Sequence, residues 1–192
     1  MSVTTDEKKP FKKLVILDVN GLLGYKCGKD EIFDDSLPRQ KLEFYDFIER
    51  PGVKPFIDKL LEKYQIAIFT SATFYNYEGI IKKLLTPEQV KSMTFRWYRD
   101  KTRHDREANI LGLEKYSTVK VLQDLFDNPV YNRDDEFNST NTILCDDCPI
   151  KTRHNPPENV IIVEGFKGDP QDTYLEDLPD LIDQRFLELS SN

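Results

Sequence analysis

Leu14-Val-Ile-Leu17 is an unbroken apolar run bounded by Lys13 and Asp18. Four residues are too few for a helix, and the β-branched pair Val15-Ile16 favours a strand buried on both faces. Gly21 then offers a sharp turn. Similar runs recur at Gln65–Phe69, ending in Thr70-Ser71, at Thr142–Cys145, ending in Asp146-Asp147, and at Asn159–Val163. Thr94–Tyr98 also has strand composition. Between these runs the period changes. Val53, Phe56, Ile57, Leu60, Leu61 and Tyr64 share one face of a helix, as do Tyr77, Ile80, Ile81, Leu84 and Leu85 of a second. Thr86-Pro-Glu-Gln89 reads as a capping box that starts another helix. Ser117-Thr118 can cap a helix burying Val121, Leu122, Leu125 and Phe126, with Lys120 in its first turn. Leu178, Leu181, Ile182, Phe186 and Leu189 mark a last helix over residues 172–189. Residues 24–46 show no clear period and read as a long loop or flap, with room for a short strand; residues 127–141 read as a polar loop.

Alternating strands and helices predict an α/β fold, with a parallel sheet covered by helices on both faces. Parallel strands end together, so Asp18, Thr70 and Asp146-Asp147 should meet at one sheet edge, where such folds build sites. Lys120 can join them. That set suits phosphoryl transfer. A carboxylate can accept the phosphoryl group as an acyl phosphate. Neighbouring carboxylates can hold Mg²⁺, and a hydroxyl with an ammonium can bind the remaining oxygens.

Composition adds limits. The chain has 192 residues, 39% hydrophobic and 32% charged, enough for one domain with a real core. We expect a flexible lead over residues 1–12 and one domain over 13–189. No apolar run approaches the ~18 residues of a membrane span. The net charge of −7 argues against general nucleic-acid binding. Against that background, Arg96–Arg106 is a local positive island with the only Trp, either a solvated loop or an attraction surface for a phosphorylated ligand. Three cysteines and a polar start suggest reduced thiols and a cytosolic or nuclear protein. Cys145 and Cys148 form a Cys-x-x-Cys without a second ligand pair, which argues against zinc or redox chemistry. No long apolar stripe is left over, so a monomer is expected.

Five segments together carry a resemblance: Leu17-Asp18-Val-Asn20-Gly21, Arg50-Pro-Gly-Val-Lys-Pro-Phe56, Phe69-Thr70-Ser71-Ala72, Val119-Lys120-Val-Leu122, and Leu144-Cys-Asp146-Asp147-Cys-Pro149. With Asn155-Pro-Pro-Glu-Asn159, they make the chain similar to the haloacid-dehalogenase (HAD) superfamily over residues 12–185, and within it to the small CTD phosphatases and NLI-interacting-factor-like phosphatases. The resemblance implies a Rossmann-like HAD fold with a small insertion after the second motif, and dephosphorylation of phosphoserine or phosphothreonine in a protein. It makes Asp18 the nucleophile and a Mg²⁺ ligand. Thr70 would bind phosphoryl oxygens, with Ser71 beside the substrate. Lys120 would stabilise the intermediate, with Lys115 a weaker candidate. Asp146 would ligate Mg²⁺, and Asp147 would support it through water. Trp97, Tyr98 and Arg99 would fall in the peptide-binding insertion, although Trp97 packed against the sheet fits equally well.

Asn20 departs from the pattern. The family places there a second Asp that protonates the leaving alcohol and then activates water. An amide cannot exchange that proton, although its backbone carbonyl can still ligate Mg²⁺. Leu22 likewise replaces the usual Thr. Two readings follow: a slow Mg²⁺-dependent phosphatase, or a pseudophosphatase that holds a phosphoprotein without turning it over.

Overall fold

The computed structural model describes residues 12–191 apart from 32, 35, 111 and 113–117. The expected flexible lead, Lys115 and Ser117 therefore lie outside the described residues, Lys12 excepted. The apolar run forms β1 (Leu14–Leu17), fully buried. The chain then makes β2 (Gly24–Cys27), β3 (Arg39–Lys41) and β4 (Asp46–Glu49) before α1 (Val53–Leu61) and β5 (Gln65–Phe69). Next come α2 (Phe74–Leu84), α3 (Pro87–Ser92), β6 (Arg96–Trp97), β7 (Arg103–His104) and α4 (Arg106–Ile110). β8 (Thr118–Val119), α5 (Gln123–Phe126), β9 (Thr142–Asp146), α6 (Pro149–Thr152), β10 (Val160–Ile162) and α7 (Tyr174–Ser191) complete it. The main sheet is parallel, in the order β10-β9-β1-β5-β6. β1 sits at its centre, and all four of its side chains are buried.

The two faces of β1 feed two core layers. Val15 and Leu17 pack with Ile57 and Leu60 of α1, Ile80 and Leu84 of α2, and Ile182 and Phe186 of α7. Leu14 and Ile16 point the other way, to Phe69, Trp97, Leu122, Leu125 and Phe137. The helical stripes thus face the sheet as their spacing predicts, except Leu181, which is half exposed on α7. The capping box is present, with Thr86 Oγ1 accepting from Gln89 N–H at 3.2 Å and Gln89 Oε1 accepting from Thr86 N–H at 3.0 Å.

Three segments differ from expectation. Residues 24–49 hold a small antiparallel sheet, β2-β4-β3, where a loop was expected. Its strands are short and only partly apolar, so no period stands out. Phe47 and Ile48 of β4 are nonetheless fully buried, and a side chain at Gly24 would collide with the Phe47 ring. Residues 127–141 are polar, but they thread Phe137 into the core. Asn132 makes that possible: its Nδ2 donates to the carbonyls of Phe126 and Phe137, and its Oδ1 accepts from Phe137 N–H. Lys120 does not open a helix, since Thr118–Val119 pair with β7 and α5 begins only at Gln123.

Arg50 fastens these parts together. Its side chain is fully buried and forks onto Asp172, with two bonds of 2.8 Å. The remaining nitrogen donates to the carbonyls of Glu164 at 3.0 Å and of Gly21 and Leu22 at 3.4 Å. One guanidinium therefore joins the turn after β1, the start of α1 and the segment before α7. Arg50→Met should lower the free energy of unfolding by about 3 kcal/mol in urea titrations, since removing one member of a buried pair strands the other's partners. A loss below about 1 kcal/mol would show the fork to be dispensable.

Candidate functional site

Register places the central carboxylates. Leu17 of β1 lies opposite Ile68 of β5 and Cys145 of β9, so the next residues meet at the carboxyl edge. Asp18 N–H donates to Cys145 O at 3.0 Å, and Thr70 N–H donates to Trp97 O at 3.0 Å. Asp18, Thr70 and Asp146 are all buried. Lys120 arrives from outside the main sheet and is also fully buried. Its backbone is clamped on both sides: its N–H donates to Lys151 O at 2.8 Å, and its carbonyl accepts from Asn155 Nδ2 at 2.8 Å. Asn155 Oδ1 in turn accepts from Leu122 N–H at 2.7 Å. The positioning role of Asn155 was not read from the sequence, although its motif stood out.

The Lys120 ammonium hydrogen-bonds Asp146 Oδ2 and lies 2.8 Å from Asp18 Oδ1. Burial works against the ammonium, but the Asp146 and Asp18 carboxylates outweigh it and hold the lysine above its usual range. The contact with Asp18 is an ion pair without an aligned hydrogen bond, so Oδ1 retains accepting capacity. Asp147 completes the set. Burial, then the Asp18 and Asp146 charges, push its carboxyl up to about 6. Gly21 (φ +86°) and Gly165 make room for it; a Cβ on Gly21 would fall 2.0 Å from Asp147 Oδ2.

Asp18, Asp146 and Asp147 offer carboxylate oxygens that all lie within 4.8 Å of one another. Three carboxylates facing one ammonium leave an excess of negative charge in a partly buried space. The donors are hard oxygens, and among the described residues the Lys120 ammonium is the one cation paired with Asp18 and Asp146. These features fit Mg²⁺.

Asn20 borders the same cavity of about 570 Å³, together with Asp18, Thr70, Ser71, Arg99 and Asp147. Its Oδ1 accepts from Lys26 N–H at 2.8 Å, which fixes the amide against β2. Thr70 Oγ1 accepts from Ala72 N–H at 3.3 Å. Ser71 Oγ is buried without a partner, and Ser71 O accepts from Arg99 Nε at 2.8 Å. The fold thus brings Asp18, Asn20, Thr70, Ser71, Lys120, Asp146, Asp147 and Arg99 together around one site.

Trp97 and Tyr98 are not part of it. Trp97 is 2% exposed and packs edge-on against Phe69, with Phe95 and Tyr131 around it. Tyr98 is buried and hydrogen-bonds Glu78. β6 is a paired strand of the sheet, so Trp97 packs into the core, and Tyr98, just after it, is buried against Glu78. The positive island also changes character. Arg96 pairs with Glu78, Arg103 with Asp124, and Lys101 with Asp100. Only Arg99 of this stretch lines the cavity. Lys26 and Lys151 line it too and were missed, because one lies on an unrecognised strand and the other in a short helix after the last carboxylates. Cys27, Cys145 and Cys148 are free thiols.

Two curated relatives are Mitochondrial import inner membrane translocase subunit tim50 of Neurospora crassa and TIM50 of Gibberella zeae. They are 32% and 27% identical to this chain over 130 residues, which is 68% of the chain and 20% of each relative. The chain therefore spans about a fifth of these relatives' length. Two solved structures share the fold. Fission yeast RNA polymerase II CTD phosphatase Fcp1 bound to beryllium fluoride aligns with a TM-score of 0.56 at 14% identity, over 93% of this chain and 52% of that one. A second Fcp1 structure aligns with a TM-score of 0.55 at 16% identity, over 93% and 50%. These establish the HAD fold. The expectation of a cytosolic or nuclear protein is overturned, because the curated relatives are named as mitochondrial inner-membrane translocase subunits. That expectation rested on polar residues at the start of the chain, and polarity there does not set a compartment. The sequence model of the NLI interacting factor-like phosphatases matches residues 13–189, and the chain belongs to that family.

Proposed function

We propose that the chain is a slow Mg²⁺-dependent phosphatase of phosphoserine or phosphothreonine proteins, acting through an aspartyl-phosphate on Asp18. The observation that carries this reading is the buried cluster of Lys120 with Asp18 and Asp146. Packing alone does not call for it, since apolar residues of similar volume in place of a buried ion pair are often neutral or stabilising. An Asp18 oxygen attacks phosphorus as the bond to the ester oxygen breaks, and the departing seryl or threonyl oxygen takes its proton from water, slowly, because Asn20 has none to give. Thr70 and Lys120 hold the transferred group's oxygens. Water then attacks phosphorus, releasing phosphate and restoring the carboxylate. Mg²⁺, held by Asp18, Asp146, Asp147 and the Asn20 carbonyl, would neutralise phosphoryl charge and orient the group.

Asn20 affects the two half-reactions differently. An aryl leaving group departs without a proton, so the first step needs no acid. The second step needs water to lose a proton, and Asn20 cannot take it. Intermediate should therefore accumulate.

A second reading is favoured by the Asn20–Lys26 bond and by the translocase relatives: a phosphoprotein-binding module in which chemistry is incidental. Those relatives direct the search for a physiological setting to the mitochondrion.

Three outcomes are expected. Nitrophenyl phosphate with Mg²⁺ should give a burst of nitrophenol equal to the enzyme concentration, then slow turnover, and Asp18→Asn should abolish both. Release that survives Asp18→Asn would belong to a contaminant, and no burst at all would favour the binding module. Asn20→Asp should raise the steady-state rate by ~10²–10⁴-fold and remove the burst; an unchanged rate would mean that proton transfer is not the missing element. Mg²⁺ should raise the melting temperature of the wild type by mass action, and Asp146→Asn should remove that rise. A rise retained in the variant would place the ion elsewhere.

A further inference from the structure

The cavity mouth carries three cations from three separate segments: Lys26 on β2, Arg99 after β6, and Lys151 on α6. Among the described residues, none of the three forms an ion pair. The Lys26 ammonium instead rests over the Tyr45 ring at 4.2 Å, and Arg99 donates Nε to a backbone carbonyl. What sets them apart is their convergence on one cavity, which all three line from separate segments. Within the sequence island Arg96, Lys101 and Arg103 are paired, whereas Arg99, its member at the cavity, has no ion-pair partner among the described residues. The floor of the site already holds its own cation, Lys120, which the Asp18 and Asp146 carboxylates occupy. The rim charges are therefore additional to those the transferred phosphoryl group requires.

We infer that the site takes a phosphorylated polypeptide with a second anionic group beside the phosphoresidue, an aspartate, a glutamate or another phosphoserine, held by Lys26, Lys151 and Arg99. This rests on the phosphate-binding reading above and narrows its substrate class. A single phosphate at the cavity floor leaves the rim cations unmatched, and a second anion satisfies them. Apolar surface beside the rim points to a polypeptide and not a small bisphosphate: Phe74 and Tyr75 follow Thr73 of the lining and are 51% and 93% exposed. Each exposed ion pair of this kind is worth about a factor of two to five in affinity, so two engaged together give about tenfold.

The test is fluorescence anisotropy of the whole chain in Mg²⁺ with labelled synthetic peptides of one length. One carries a phosphoserine among neutral residues, one a phosphoserine flanked by aspartates, and one the aspartates alone. A free sugar bisphosphate is run as competitor. The acidic phosphopeptide should bind about tenfold more tightly than the neutral one. That ratio should shrink towards one at high salt and in Lys26→Gln with Lys151→Gln, whose folding is checked by thermal melting. If those variants fail to fold, the salt dependence of the ratio in the wild type decides. Equal binding of the two phosphopeptides would overturn this inference and leave the phosphatase-site reading intact. No binding of either would sink that reading. Equal binding of the peptide without phosphate, or displacement by the bisphosphate at the acidic phosphopeptide's own affinity, would overturn the assignment to an acidic phosphopeptide.

Discussion

A lysine ammonium buried between two carboxylates is the constraint on which this molecule is built. Lys120 is fully buried and closes on Asp18 and Asp146. Neither carboxylate could tolerate that depth without a counter-charge, and the ammonium could not either. The parallel register brings the two strand ends side by side, so the carboxylates meet whether or not the lysine is there. Bringing in the lysine takes a second device. Asn155 and the Lys151 carbonyl grip its backbone, because no strand of the main sheet carries it. Arg50 works in the same way at the opposite wall, fixing the turn that presents Asn20 and Gly21. The site is thus a charge arrangement held by backbone clamps around a rigid sheet edge.

Asn20 separates two properties that the family's usual aspartate combines. Holding a phosphate and a metal requires charge in the right place, and in the proposed reading Lys120 and the three carboxylates supply it. Moving a proton requires a group that can gain and lose one, and the amide cannot. Its side-chain oxygen Oδ1 is also committed to Lys26 N–H, which leaves the backbone carbonyl free for the proposed metal and makes the side chain a fastener for the flap. Membership of the phosphatase family therefore does not decide between turnover and retention. The chemistry of a single side chain does.

Much of the fold was legible because it follows from periodicity. Strands β1, β5, β9 and β10 announce themselves as short apolar runs, and α1, α2 and α7 as stripes. Asp18, Thr70 and Asp146 could then be placed together, since parallel strands end together. The flap was not legible. Strands of three or four residues, with none buried in β3 and three in a row buried in β4, leave no period to detect. Phe137 was hidden for a related reason: its burial depends on Asn132, five residues away in a polar loop, which satisfies the backbone around it. Trp97 and Tyr98 illustrate the opposite error. Their setting among basic residues suggested a peptide surface, but strand pairing turns the Trp97 ring onto Phe69, and Glu78 holds the buried Tyr98 hydroxyl.

Charge was the least legible feature, because sequence proximity misjudges it. Arg96 to Arg106 looks strongly basic as a string. In the fold, Glu78 and Asp124 neutralise two of its arginines, and both carboxylates come from distant elements. The cations that reach the cavity, Lys26, Arg99 and Lys151, have no carboxylate partner among the described residues and come from three segments, of which only Arg99's looks basic in the sequence. A net charge of −7 describes attraction at a distance larger than the molecule. Within a Debye length of about 8 Å at physiological salt, local pairing decides what a ligand meets. What approaches this cavity meets lysine and arginine first and carboxylates only at the floor, so an acidic chain can still receive an anionic partner.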